Sequence, residues 1–200
     1  MKRRAVFMDR DGTISEEVGY LNHPSRLQLY PYSAEAIKLL NANQYLAIVV
    51  TNQSGVARGI FTEEMLQEVN GKLISELEND GARLDALYYC VHHPTAGSLP
   101  YRVECDCRKP KPGLITRARS SFEFESSLSW MIGDRYSDIV LGQNAGLRSA
   151  LVLSGYGREE WESQRTTWTI KPDIVSENLL QAVTQIISES SDGSSATTGN

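Results

Sequence analysis

Cysteine is scarce in this chain, and the three present are an odd number. All of them fall between positions 90 and 107. A disulfide framework is therefore excluded, and metal or redox chemistry takes its place. Long apolar runs are missing too: none reaches the length that spans a bilayer. The basic start, Met1-Lys2-Arg3-Arg4, is followed too soon by Asp9 for the apolar region and cleavage site of a secretory leader. There is no basic stripe: the net charge is −5 and the pI is near 5.3. Basic and aromatic residues do not interleave, which excludes a nucleic-acid-binding module and a groove that tracks a nucleic-acid strand. No internal repeat is seen. These absences describe a cytoplasmic chain without membrane or nucleic-acid partners, expected to be a monomer.

What is present suits one domain with a sizeable core, because 200 residues at 40% hydrophobic content bury enough surface for it. Apolar runs recur at Ala5–Met8, Leu46–Val50, Leu87–Cys90, Leu128–Ile132 and Ala150–Leu153, with a short sixth at Pro172–Val175. The second lacks polar alternation and is β-branched, as in a strand covered on both faces of a parallel sheet. Helical spacing fills the intervals: Ser33 to Asn43 with Ser33 as N-cap, a long helix opened by Thr62, one opened by Pro112 and running to about Ser121, Ser137 to Asn144, and Ser176 to Ile187. Alternating strands and helices predict an α/β domain with a parallel sheet over residues 1–187. The Ser, Thr and Gly-rich stretch 188–200 is expected to be a disordered tail.

In such sheets ligands bind beyond the carboxyl ends of the strands. Four strand ends carry polar groups: Asp9-Arg10-Asp11-Gly12-Thr13, Thr51-Asn52-Gln53-Ser54-Gly55, Cys90-Val91-His92-His93-Pro94, and Gly133-Asp134-Arg135-Tyr136-Ser137-Asp138. Asp9 and Asp11 would point the same way if the strand continued, and two anions facing one spot call for a cation. A calcium loop is excluded, since its twelfth position, which needs an acid, is Tyr20. Polar groups after four separate strands would converge on one rim, as a phosphate and metal site requires.

Asp9-x-Asp11-Gly12-Thr13, Thr51 after the second strand, Lys109 before a helix, and Gly133-Asp134-x-x-x-Asp138 resemble the four motifs of the haloacid dehalogenase superfamily, from residue 5 to about 175. The second aspartate favours its phosphatase branch. The resemblance implies a single Rossmann-like domain and a Mg²⁺-dependent phosphoric monoester hydrolase. Asp9 would be the nucleophile and Asp11 the acid and base, while Thr51 and Lys109 would hold the phosphoryl oxygens. Mg²⁺ would be held by Asp9, Asp134 and the main-chain carbonyl of Asp11. Asp138 would orient this set or add a weaker ligand. No large cap fits, so loops must wall the pocket.

Cys90-x-His92 and Cys105-x-Cys107 supply a Cys3His set for a closed, structural zinc site in the loop 90–107, with His93 as the alternative to His92. Cys107 leads straight into Arg108-Lys109-Pro110-Lys111-Pro112, so zinc would also hold two cations at the rim. This cluster is similar to the zinc-bearing branch containing heptose bisphosphate phosphatases and histidinol-phosphate phosphatases, and it favours His92. Gly19-Tyr20 and Thr51 to Gly59 favour the heptose enzymes, which serve nucleotide-activated heptose and lipopolysaccharide core precursors. The histidinol-phosphate enzymes of histidine biosynthesis are the alternative. A small sugar bisphosphate would then contact Glu17, Val18, Gly19, Tyr20, Thr51, Asn52, Gln53, Ser54, Arg108, Lys109 and Arg135. Arg135 stands where the heptose enzymes often carry Lys. Residues 21–30 and 155–171 match the family pattern poorly.

Overall fold

A computed structural model describes residues 3–195, with side chains through residue 190. The chain alternates strand and helix throughout: β1 Ala5–Met8, α1 Ser33–Ala42, β2 Leu46–Asn52, α2 Glu63–Asn79, β3 Ala86–Cys90, α3 Gly113–Ser121, β4 Trp130–Gly133, α4 Tyr136–Asn144, β5 Arg148–Val152, α5 Gly157–Gln164, β6 Ile174–Ser176 and α6 Leu179–Ser195. Every strand pair is parallel, in the order β3-β2-β1-β4-β5-β6. This is the α/β domain expected from the alternation. Among the described residues, no helix is long and apolar enough to cross a membrane.

Strand residues alternate between the two faces of a sheet. Val6, Met8, Ala47 and Val49 pack with Ile37, Leu73 and Val183 of α1, α2 and α6. Ala5, Phe7, Leu46, Ile48 and Val50 pack on the opposite side with Leu114, Ile115 and Leu141 of α3 and α4. Apolar burial on both faces is the reason β2 reads as an unbroken run. The order of connections reverses at β1, with β2 on one side and β4 on the other. A crevice opens at such a switch point, at the carboxyl ends of these three strands.

Several expectations need correction. The stretch read as a tail overlaps α6, which runs to Ser195, while 196–200 lie outside the described residues. Two long-range contacts hold that end: the Tyr45 and Ser190 hydroxyls are 2.6 Å apart, and Arg148 pairs with Glu189 at 2.8 Å. The helix starts at Leu179 rather than Ser176, which ends β6. Leu128 is not in β4: it is exposed in a 3-10 turn, and Ser129 beside it accepts from Ala5 N at 2.9 Å. Ser33 does not cap α1 but is its first residue, and its hydroxyl donates to Ile14 O at 2.7 Å. Pro112 precedes α3 instead of lying in its first turn. Thr62 does cap α2, accepting from Met65 N. The helix α5, within the stretch that fits no pattern, was not foreseen.

Candidate active site

β1 ends one residue before Asp9, whose main-chain N–H still donates to Ile132 O of β4 at 2.9 Å. The chain then turns at Gly12, where φ is +77° and an added Cβ would stand 2.1 Å from Asp134 Oδ2. Only glycine allows both the turn and the close approach of Asp134. Asp134 follows β4 directly, and Asp138 comes one turn later, as the third residue of α4. Asp9, Asp134 and Asp138 bring carboxylate oxygens within 4.8 Å of one another.

Lys109 enters this cluster from the loop after Cys107. Its ammonium is 2.8 Å from Asp9 Oδ2 and 2.7 Å from Asp138 Oδ1. Burial alone would lower its pKa, but the charges of Asp138 and Asp9 outweigh burial and raise it to about 12. Burial pushes Asp138 up to about 6, against the pull of Lys109. Asp134 is driven well above the ordinary carboxylate range, first by burial and then by the charges of Asp9 and Asp138. Its Oδ2 accepts from Tyr156 N at 2.9 Å, while its Oδ1 has no hydrogen-bond partner. One cation cannot neutralise three buried carboxylates, and an orphaned carboxylate oxygen is costly. The donor set is all oxygen, which suits a hard divalent ion such as Mg²⁺.

Asp11 does not face Asp9 in the way strand geometry suggested. The strand has ended, and the Asp11 carboxylate lies outside the acidic cluster. It receives both arms of the buried Arg10 fork, at 3.0 and 2.8 Å, and Gln53 Nε2 at 2.8 Å. Gln53 Nε2 also donates to Thr51 Oγ1 at 2.9 Å. The Asn52 carboxamide brackets the Lys109 peptide, accepting from its N–H at 3.0 Å and donating to its carbonyl at 3.2 Å.

A cavity of about 440 Å³ opens over these groups, enough for a small phosphorylated ligand. Asp9, Asp11, Glu17, Gly19, Tyr20, Thr51, Asn52, Gln53, Ser54, Arg108, Lys109 and Arg135 line it, all of them anticipated. Val18 is the exception: its side chain packs on the core, and its carbonyl accepts from Arg26. Gly55, within a loop expected to wall the pocket, lines it too, as do Ser137 and Tyr156, which were not among the expected substrate contacts. Tyr156 lies just beyond β5, so the strand-end rule applied to a fifth strand would have found it. Its ring stacks under the Arg135 guanidinium at 3.8 Å, and Glu160 pairs with Arg135 at 3.4 Å. Burial raises the pKa of Glu17, which lines the same cavity.

The Cys3His set is assembled. Cys90, Cys105 and Cys107 place their sulfurs 3.0–3.6 Å apart, and His92 Nδ1 is 3.4 Å from Cys107 Sγ. The four donors lie within 4.8 Å of one another, the chemistry and spacing of a closed zinc site. Contact with the other sulfurs, Cys90 foremost, draws the Cys107 thiol down to about 5, while that same contact pushes Cys90 up. His93 is not a ligand: its ring accepts from Ala96 N at 3.0 Å and faces Arg58 at 3.0 Å. Cys90 O accepts from Gln53 N at 2.7 Å, so this centre is tied to the β2 end of the cavity.

Comparison with known proteins agrees with this geometry. Residues 106–182 match the HAD-hydrolase-like family. The chain is 38% identical over 151 residues to a D-glycero-beta-D-manno-heptose-1,7-bisphosphate 7-phosphatase of Pasteurella multocida, covering 76% of this chain and 82% of that protein. The Haemophilus ducreyi protein of the same name is 34% identical, over 92% of this chain and 98% of its own. A crystal structure of D,D-heptose 1,7-bisphosphate phosphatase from B. bronchiseptica, complexed with magnesium and phosphate, superposes with a TM-score of 0.81 at 27% identity, covering 93% of this chain and 99% of that one.

Proposed function

The chain belongs to the D-glycero-D-manno-heptose-1,7-bisphosphate 7-phosphatase family of haloacid dehalogenase-like phosphoric monoester hydrolases, and from that premise we propose that it removes the 7-phosphate of a heptose 1,7-bisphosphate. The observation that carries the reading is the pairing of Asp9 with Lys109 in a cavity that Arg108 and Arg135 also line. Lys109 is placed for the phosphate that reacts. Two guanidiniums lining the same cavity suit a second phosphate, which a planar fork binds through paired hydrogen bonds. The relatives described above carry the heptose name, so histidinol phosphate is not favoured as substrate.

Asp9 Oδ2 is the attacking oxygen. Lys109 holds it in place and, with the Thr51 hydroxyl, binds the phosphoryl oxygens as charge spreads over them. Asp11 gives a proton to the departing sugar oxygen and takes one from the water that later releases phosphate from Asp9. Asp9, Asp134 and the main-chain carbonyl of Asp11 would hold Mg²⁺, with Asp138 closing the set. When bound, that ion offsets repulsion between the carboxylate and the phosphate dianion. Zinc in the Cys3His centre has no open position in this reading, so its part is structural: it fixes Cys107 and with it Arg108 and Lys109. The product would feed nucleotide-activated heptose synthesis for lipopolysaccharide core, in the cytoplasm and as a monomer.

A phosphate-release screen with Mg²⁺ present tests the reading. Heptose 1,7-bisphosphate should be the preferred substrate, with loss of the 7-phosphate visible by phosphorus NMR. Higher kcat/KM on histidinol phosphate would overturn the substrate assignment.

A further inference from the structure

Arg10 lies between the two aspartates that the reaction needs, yet has no task in the steps above. Its side chain is fully buried, and a buried cation has to be paired. All three nitrogens are engaged: Nε donates to Asp11 Oδ1 at 3.0 Å, Nη2 to Asp11 Oδ2 at 2.8 Å, and Nη1 to Asn70 Oδ1 at 3.0 Å. Asn70 belongs to α2, is itself buried, and leaves its Nδ2 without a partner. An amide half-satisfied in the core costs stability where an apolar residue would not. Among the described residues, the side-chain hydrogen bond it makes is with Arg10.

A carboxylate oxygen offers about two acceptor positions. On Asp11, Oδ2 uses two, for Arg10 and for Gln53, whereas Oδ1 uses one, for Arg10. The free position is therefore on Oδ1, and Asp11 lines the cavity. We infer that Arg10, braced by Asn70, is a positioning residue that fixes the Asp11 carboxyl so that Oδ1 carries the transferable proton.

This rests on reading Asp9 as nucleophile and Asp11 as acid. As the Asp9 oxygen bonds to phosphorus, the bond from phosphorus to the sugar oxygen breaks. The proton on Asp11 Oδ1 passes to that departing oxygen. Asp11 is left a carboxylate, which the Arg10 fork stabilises. When water then attacks phosphorus and the bond to Asp9 breaks, Oδ1 takes the water proton back. A sugar alkoxide needs the proton to leave, whereas 4-nitrophenolate departs as a stable anion. Only the first should depend on how Asp11 is held.

The test compares kcat/KM on heptose 1,7-bisphosphate and on 4-nitrophenyl phosphate, because kcat/KM covers the steps through departure of the leaving group. Two variants remove the Asn70 acceptor: Asn70→Leu, close in size, and Asn70→Ser, milder in packing. Either one that melts as the wild type does decides the matter. The expected result is a fall on the order of tenfold or more on the bisphosphate, with KM unchanged and the nitrophenyl ester within about twofold of wild type. Asn70→Asp keeps an oxygen for Arg10 Nη1 and should recover most of the loss. Equal losses on both substrates, or none on either, would overturn the inference while leaving the proposed function standing. Wild-type protein that cleaves the nitrophenyl ester but no sugar phosphate would instead remove the substrate reading, and this inference with it.

Discussion

The Asn52 carboxamide is bonded to both ends of the Lys109 peptide, through its oxygen at 3.0 Å and its nitrogen at 3.2 Å. Asn52 is the last residue of β2, and Lys109 is two residues past Cys107. The ammonium that pairs with Asp9 is thus aimed from two directions, by the sheet and by the Cys3His centre. Asn52→Ala removes one of them. We expect kcat to fall roughly 10- to 100-fold, since misplacing a group that stabilises the transition state costs a few kcal/mol. Zinc content by elemental analysis should stay at the wild-type level; zinc loss in the variant would mean that the bracket supports the centre and not Lys109.

Asp9→Asn keeps the shape of the side chain and removes the attacking oxygen's charge. Phosphate release should drop by about 1000-fold or more, with the circular dichroism spectrum unchanged. Turnover near wild type would remove Asp9 as the nucleophile.

If the Cys3His centre holds zinc as proposed, stripping it should free Cys107 and so loosen Arg108 and Lys109. We expect lower kcat with Mg²⁺ saturating, and recovery when zinc is returned. A metal-stripped protein with unaltered kinetics and no bound zinc would refute the coupling.

Stability without Mg²⁺ should depend on pH with a definite sign. Asp138 has a folded-state pKa raised from 3.8 to about 6, mainly by burial, and Asp134 is raised in the same direction. Groups raised in this way favour the folded state while protonated. Their contribution is present below about pH 4 and is lost as pH rises through about 6, a change on the order of 2 kcal/mol for Asp138. Urea unfolding at pH 4.5 and 7 measures it. Adding Mg²⁺ at pH 7 should restore stability, and a protein equally stable at both pH values with no response to Mg²⁺ would contradict it.

Arg135 is held between the Tyr156 ring at 3.8 Å and Glu160 at 3.4 Å. Arg135→Ala should raise KM for the bisphosphate about tenfold and leave KM for a monophosphate nearly unchanged, because only the first has a distal phosphate for the fork to hold. Equal changes for both substrates would place Arg135 outside the distal site.

Much of this protein was legible in the linear sequence, and the legible part is local. The unbroken apolar runs of β1 and β2 marked strands covered on both faces. Asp9 and Asp134 follow strands and Thr51 sits at the carboxyl end of β2, so the strand-end rule gathered them before any contact was seen, whereas Lys109 came only with the family resemblance. Cys90, Cys105 and Cys107 with one of His92 and His93 made a complete ligand set by count and spacing, and the structure brings His92 to the sulfurs. Tertiary structure decided what depends on residues far apart in the chain. Asp11 is turned from Asp9 by Arg10, whose other support, Asn70, is 60 residues away. Tyr156 reaches Asp134 across 22 residues and sets the wall under Arg135. Val18 faces the core and not the cavity, and the end of α6 is held by Tyr45 and Arg148. Periodicity reports which face of an element is buried. It carries no information about which distant side chain will satisfy a buried charge, and here that pairing, Arg10 with Asp11 and Asn70, determines how the second aspartate is presented.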